Sequence, residues 1–426
     1  MSASLHTHAA RLLLLPALLS LAGVAAICPA QEVVCSAGFG SFSATSTTGV
    51  ELSVGALKNA EMAQRVCLAT LAWDKQSLQI EPRAWQLDVD LMSVDLGLGA
   101  PVAAIQVKHA DVDPLVEYEI YALTKPPRKL RIITGGDSFR ATDTDLNGQI
   151  EIWTSDAAAV NGFEGIALSA LEFAPPMALR FDRRRLIDVS AEFKPRFDRR
   201  IAALRAQLDD PHQLEEFKSS DGRLAGMSPL SMTNLRALRA TKIRVLEIVW
   251  CYLYSGREQE AWKSLDAMWP AADVERIRTA ILNARDHGMR RELDGVSDGS
   301  AHRPRKRAMI FDRLTETEGI NGGPRSYVNE SGGPDDTMRA FQVDTNPRPI
   351  LMRRPAPPEG AGASALTTEV VVNMVVDAAG KVWSIKTEGK IDQDLIDASN
   401  DWKFMPALKD GHPVASRLRM GVTPFQ

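Results

Sequence analysis

The hydrophobic pattern of this chain changes period near residue 190, and nothing else in the sequence restricts the fold as much. Before that point, runs such as WQLDVDLMSVDL (Trp85 to Leu96), AAIQVKH, VEYEIYAL and KLRIITG alternate apolar with polar residues and are punctuated by Gly and Pro. Successive strand side chains point to opposite faces, so this alternation predicts a β-rich domain, an antiparallel sheet or sandwich, over residues 31–190. One exception is expected: from Gly55 to Trp73, Leu57, Ala60, Cys67, Leu68 and Leu71 fall on one helical face. LRFDRRRLIDVS reads as the hairpin that closes the region.

Beyond it the spacing becomes helical. Pro195 suits a first helical turn, and Phe197, Ile201, Leu204 and Leu208 follow at intervals of four, three and four. Asp210 before Pro211 opens a second helix that Gly222 ends. Leu235, Leu238, Val245, Leu246, Val249, Tyr252 and Leu253 predict a longer one, broken at Ser255-Gly256. Ala261, Leu265 and Trp269 mark a helix stopped by Pro270, and Val274, Ile277 and Ile281 another. Helix, Gly turn, helix is similar to a tetratricopeptide hairpin, but a stable solenoid needs about three stacked repeats and the sequence holds fewer. A helical domain over 191–294, packed as a bundle on the sheet, is the expectation. The fold class is therefore α+β and multidomain.

Charge narrows the partners. With 50 Lys+Arg against 54 Asp+Glu the net is −4, which argues against a surface built to neutralise phosphates, so no nucleic-acid partner is expected. The balance is a cancellation: Met1 to Ala178 carries 11 basic and 19 acidic residues, whereas Leu179 to Arg307 carries 26 and 19. Opposite signs on neighbouring segments could help them dock, but a solvated surface with no partner is the simpler reading.

At the front, Arg11 precedes the uncharged run LLLLPALLSLAGVAAI (Leu12 to Ile27), followed by Cys28, Pro29 and Ala30. The run is shorter than the ~20 residues that span a bilayer, so residues 1–30 read as a cleaved export signal, ending at Ala30 or Ala26, with an uncleaved inner-membrane anchor as the alternative. Periplasmic localisation follows from either. In an oxidising compartment Cys35 and Cys67 form a disulfide or remain two buried thiols, and Cys251, within VLEIVWCYLY, reads as a buried thiol.

One loop suggests a cofactor. In DTDLNGQIEIW, Asp143, Asp145 and Asn147 alternate, Gly148 permits a sharp turn, Gln149 offers a carbonyl and Glu151 lies two residues on. Hard cations want six to eight oxygens, and this spacing predicts a calcium site. Thr154 stands where an EF-hand would place its bidentate Glu, so the loop more closely resembles the Asp-x-Asp-x-Asn-Gly loop of FG-GAP-type blades. A plain Asn-Gly hairpin turn is the alternative.

Residues 295–365 are Pro/Gly-rich and polar and read as a flexible linker, with the basic cluster Arg303 to Arg307 as a solvated patch. The last stretch, 366–426, is the most informative. LTTEVVVNMVVDAAGKVWSIKTEG predicts a hairpin turning at Ala-Ala-Gly, Ile391 to Trp402 a helix with Leu395, Ile396 and Ser399 inward, and SRLRMGVTPF a closing strand. Gly380, Val382, Leu395, Trp402, Phe404, Pro406, Ala407, Gly411, Pro413 and Val414 together resemble the C-terminal domain of TonB energy transducers, a small ββαβ module. In that reading Gly380 makes the turn, Leu395, Trp402 and Phe404 the core, and Pro406 and Gly411 the loop. The resemblance implies a module that contacts an outer-membrane transporter by strand addition along Arg417 to Phe425, through Arg417, Arg419, Gly421, Thr423 and Phe425. Energy transduction through an inner-membrane motor complex would further require the uncleaved N-terminus. The segment PRPILMRRPAPPE lacks the Tyr-Pro element usual before that domain, and His6 and His8 precede the apolar run instead of lying within it.

No catalytic constellation is visible. The seven His show no metal-ligand spacing, and there is no Gly-x-Ser-x-Gly elbow or phosphate loop. Asp88 and Asp90 read as strand-face carboxylates. The expected function is that of an envelope binding protein, not an enzyme, and the alternative is a calcium-stabilised periplasmic scaffold or adaptor.

Overall fold

The alternating sequence upstream of residue 190 becomes strands β1 (Cys35–Ser36), β2 (Phe42–Thr45), β3 (Glu51–Lys58), β4 (Arg65–Trp73), β5 (Gln76–Ala84), β6 (Gln86–Val94), β7 (Val102–Lys108), β8 (Val116–Ala122), β9 (Arg128–Gly136), β10 (Phe139–Thr142), β11 (Glu151–Ser155), β12 (Pro176–Asp182) and β13 (Arg185–Asp188). The computed structural model describes residues 34–58, 65–208, 211–224, 232–297, 315–317, 326–328, 344–352, 370–388 and 393–422. The protein mixes helix and sheet, with its N-terminal region rich in strands. Strand orders are β2-β3-β4-β5, β1-β6-β7-β8-β9, and β10-β11-β12-β13-β14, where β14 (Gly295–Val296) joins β13 in parallel. From residue 34 onward the described residues belong to one compact unit.

Among the described residues of the stretch expected as a helix, Gly55 to Lys58 lie in β3 and Arg65 to Trp73 in β4, which pair antiparallel, while Ala60 lies outside the described residues. Cys67 and Leu71 are four residues apart, a spacing that satisfies both periods. Ala69 between them is also fully buried, and that decides for period two. β1 and β4 are joined by the Cys35–Cys67 disulfide, while Cys251 is a buried free thiol.

Short helices α1 (Ala157–Val160) and α2 (Leu168–Leu171) precede β12. The 3.6-residue spacing then yields α3 (Lys194–Gln207), α4 (Pro211–Lys218), α5 (Met232–Tyr254), α6 (Glu258–Met268) and α7 (Val274–His287). They do not bury their apolar faces only on each other. One continuous core runs from Ile120, Phe139 and Ile152 on strands to Phe197, Leu246, Trp250, Trp269 and Ile281 on helices. A second core lies between the β2-β3-β4-β5 and β1-β6-β7-β8-β9 sheets, with Leu52, Leu71, Val89 and Ile105.

Within the expected linker, β14, β15 (Thr315–Thr317), β16 (Ser326–Val328) and β17 (Arg348–Leu351) are strands. β17 was expected as tether, yet it pairs antiparallel with β20 (Lys403–Met405), and Ile350 and Leu351 pack on the second core. An apolar pair beside a strand partner outweighs the absent N–H of Pro349 in this two-stranded ladder. The chain then forms β18 (Val370–Val376), β19 (Val382–Thr387), α8 (Gln393–Ala398), β21 (Ala407–Lys409), β22 (His412–Val414) and β23 (Ser416–Val422). Their shared core holds Val372, Met374, Ile385, Leu395, Trp402 and Phe404.

Among the described residues no helix is long and apolar enough to cross a membrane. The apolar run with its cleavage candidates, the cluster Arg303 to Arg307, and Thr423 and Phe425 lie outside the described residues.

Candidate functional site

Two lysines fix the C-terminal strands to the N-terminal sheet. Lys381 and Lys403 face each other across an isolated antiparallel bridge, where two like charges would repel. Both are buried, and each finds its own carboxylate on β6. Lys403 Nζ donates to Asp88 Oδ1 and Oδ2 at 2.8 and 2.9 Å and to the Val89 carbonyl at 2.5 Å. Lys381 Nζ donates to Asp90 Oδ1 at 2.5 Å and to the Asp90 carbonyl.

The geometry depends on a β-bulge. Val89 pairs with Ile105 and Leu91 with Ala104, so Asp90 is the extra residue, and the ladder's interruption leaves its carbonyl available to Lys381. Asp90 Oδ2 accepts from the Tyr118 hydroxyl at 2.6 Å and the Ala141 amide at 2.9 Å. Gln106 bonds Asp88 Oδ2 through Nε2 and accepts the Phe139 amide on its Oε1. Burial pushes the Asp90 carboxyl up, but Lys381 and Lys403 outweigh it and hold it below the ordinary range.

The turn before Lys381 makes the second attachment. Asp377 Oδ1 accepts the amides of Ala379 and Lys381, closing the Ala-Ala-Gly turn, and its Oδ2 accepts Thr142 Oγ1 at 2.7 Å and the Asp143 amide at 3.0 Å. Gly380 has φ +78°, and a Cβ there would lie 1.9 Å from the Phe404 carbonyl oxygen, so only glycine fits. A bulge on β19 sets Trp383 apart from the ladder, and its Nε1 donates to the Thr144 carbonyl.

Asp377 thereby borders the candidate calcium loop. Asp143 Oδ1 accepts the Asn147 amide at 2.9 Å and its Oδ2 the Gly148 amide at 2.8 Å. Asn147 Oδ1 accepts from the Gln149 amide, Asp145 Oδ1 from the Asn147 amide, and Glu151 Oε2 from the Thr144 amide. Burial, then the Asp377 and Glu151 carboxylates, pushes Asp143 up to about 9, and burial pushes Glu151 up to about 7. Gln149 is exposed, and among the described residues no group of three or more His, Cys, Asp or Glu is arranged to hold a metal ion. The loop as it stands is closed by its own amides.

The candidate partner-binding strand is β23. The sheet order is β19-β18-β23, so β23 has one ladder, to β18, and no strand on its other side among the described residues. Arg417, Arg419 and Gly421 share one face, and Leu418, Met420 and Val422 pack toward the core on the other. Leu395, Trp402 and Phe404 lie in that core, and Gly411 takes a left-handed turn with φ +75°.

Sequence reasoning missed the four-charge attachment. Its only local signal is two carboxylates at alternate positions of a strand whose other residues from Leu87 to Val94 are almost all apolar and buried. Their lysines lie some three hundred residues away, beyond any local pattern. No protein family, characterised protein or solved structure matches the chain.

Proposed function

We propose that this chain is an envelope binding protein, without enzymatic activity, that presents an exposed edge strand to an extended segment of a partner. In this reading it is an α+β protein with a β-rich domain, a helical domain and a TonB-like ββαβ module, exported to the periplasm or anchored in the inner membrane facing it. The observation that carries the reading is the second edge of β23, which meets no strand among the described residues. Unpaired backbone N–H and C=O groups in a row are a template for another strand. The partner is an outer-membrane transporter, and a motor complex joins it if the N-terminus stays uncleaved.

Deleting residues 366–426 is a poor test, because it strips Asp88 and Asp90 of their lysines. A photoreactive side chain at Gly421 in living cells is better, with Leu282, an exposed helical position, as control. Adducts with an outer-membrane transporter from Gly421 alone support the proposal. Identical adduct patterns from both positions contradict it.

The second reading is a calcium-stabilised scaffold. It rests on the four acids Asp143, Asp145, Glu151 and Asp377 around one loop, three of which, Asp143, Glu151 and Asp377, are pushed up by burial. Under it, Gly421 adducts are confined to soluble envelope proteins or a second copy, and calcium raises stability in wild type but not in Asp143→Ala.

A further inference from the structure

Lys403 and Asp88 meet as a nucleophile and an acyl group as well as two opposite charges. Their side chains are only 5% and 2% exposed, so bulk water is kept from the contact. Nζ lies 2.8 Å from Asp88 Oδ1 and 2.9 Å from Oδ2, and closeness to both oxygens holds it within about 3.3 Å of Cγ, the separation of a near-attack contact. The Val89 carbonyl accepts from Nζ as well and holds the end of the stem in place. Gln106 Nε2 donates to Asp88 Oδ2 at 3.2 Å, and its Oε1 accepts the Phe139 amide at 2.8 Å, which fixes the way the side-chain amide faces. An N–H is thus aimed at the oxygen on which charge develops when Cγ is attacked.

The other pair is built differently. Lys381 Nζ bonds Oδ1 of Asp90, while Oδ2 is held by the Tyr118 hydroxyl and the Ala141 amide. Burial raises that carboxyl, but Lys381 and Lys403 hold it below the ordinary range, and an ionised carboxylate is a poor acyl donor.

We propose that Lys403 and Asp88 condense after folding into an isopeptide bond. Nζ passes one proton to Asp88 Oδ1, and the lone pair of the neutral amine forms the bond to Cγ while the C=O electron pair moves onto Oδ2 beside Gln106. When that pair returns, the Cγ–Oδ1 bond breaks, a second Nζ proton goes to Oδ1 and water leaves. The third proton stays as the amide N–H. An ammonium and a carboxylate become one amide and one water, with no oxidant or further reactant. Two terms favour the step. It replaces two desolvated charges by a neutral group and removes one of the two ammonium groups that face each other across the Lys381–Lys403 bridge. Groups held in contact by a fold also react with effective molarities of about 10⁵–10⁸ M. The bond ties β20 to β6 across 315 residues, so the C-terminal strands cannot leave the N-terminal sheet under tension. The inference is independent of strand addition at β23.

The test is mass spectrometry of the full chain, purified from cells, reduced at Cys35 and Cys67, denatured, and compared with the mass its own N-terminus requires. Wild type should be lighter by one water, and digestion should give a branched peptide that joins Asp88 to Lys403. Lys403→Arg leaves Asp88 a cation but no amine, and should restore the full mass. A wild-type chain of full mass, with residues 88 and 403 recovered on separate peptides, overturns the proposal. So does a deficit that survives in Lys403→Arg, or a branch that joins Asp90 to Lys381 instead. Should Lys403→Arg fail to fold, the wild-type peptide map decides by itself.

Discussion

Lys381→Met isolates the buried attachment between the C-terminal strands and β6. Methionine keeps most of the stem's volume and removes the ammonium, leaving Asp90 only 1% exposed and without its cation. Removing one partner of a buried pair costs about 3–5 kcal/mol, because the remaining charge stays desolvated. Tyr118 and the Ala141 amide still bond Oδ2, and Lys403 also lowers the Asp90 pKa, so the low end, about 3 kcal/mol, applies. Adding Asp90→Asn keeps an acceptor for Tyr118 and Ala141 and removes the stranded charge. The double variant should therefore recover about 1–3 kcal/mol relative to the sum of the singles. Urea unfolding of the four proteins, followed by circular dichroism, gives the cycle. A Lys381→Met loss below about 0.5 kcal/mol, the range of an ordinary surface substitution, or a cycle that closes additively, would refute the claim that these charges hold the elements together.

Three further outcomes are expected. Replacing Cys35 and Cys67 by Ala opens a loop with sequence separation 32 and should cost up to about 4 kcal/mol on chain-entropy grounds, read as a lower urea midpoint that reductant no longer shifts. Gly380→Ala forces a Cβ into the Phe404 carbonyl and should cost at least about 2 kcal/mol, while Gly411→Ala, at similar φ but in open space, should cost clearly less. Burial pushes the Asp143 and Glu151 carboxyls up to about 9 and about 7, above the ordinary carboxylate range of about 4, so the folded state holds more protons between those limits. Without divalent cations their contribution to stability must fall as pH rises from about 4 to about 9. If the loop takes calcium, the ion should flatten that decline and release protons on binding, measured by calorimetry in buffers of different ionisation enthalpy. A decline unchanged by calcium would leave the loop a hairpin turn.

Much of this architecture is written locally. The helices of 194–287 follow from apolar residues three and four apart, and their ends from Pro195, Gly222, Gly256 and Pro270. The β18–β19 hairpin follows from alternation around Gly380. The stretch from Gly55 to Trp73 misled because Cys67 and Leu71 fit either period, and only partner strands on both sides of β4 settle which face each covers. Arg348–Leu351 misled because a Pro-rich context hides an apolar pair that needs Lys403–Met405 to become a strand. Asp88 and Asp90 read only as strand-face carboxylates because the lysines that neutralise them come from another part of the chain. Local pattern thus specifies elements, whereas buried charges and ladder partners are properties of the assembled fold.

The central claim is that the C-terminal sheet is fixed through buried polar contacts while β23 keeps an open edge. Residue-resolved amide hydrogen exchange of the free protein tests both halves at once. The amides of Ala141 and Asp143, which bond Asp90 and Asp377, should be protected to the level of the core strands, and alternate amides of β23 should exchange rapidly. Uniform protection along β23, or surface-like exchange at Ala141 and Asp143, would contradict it.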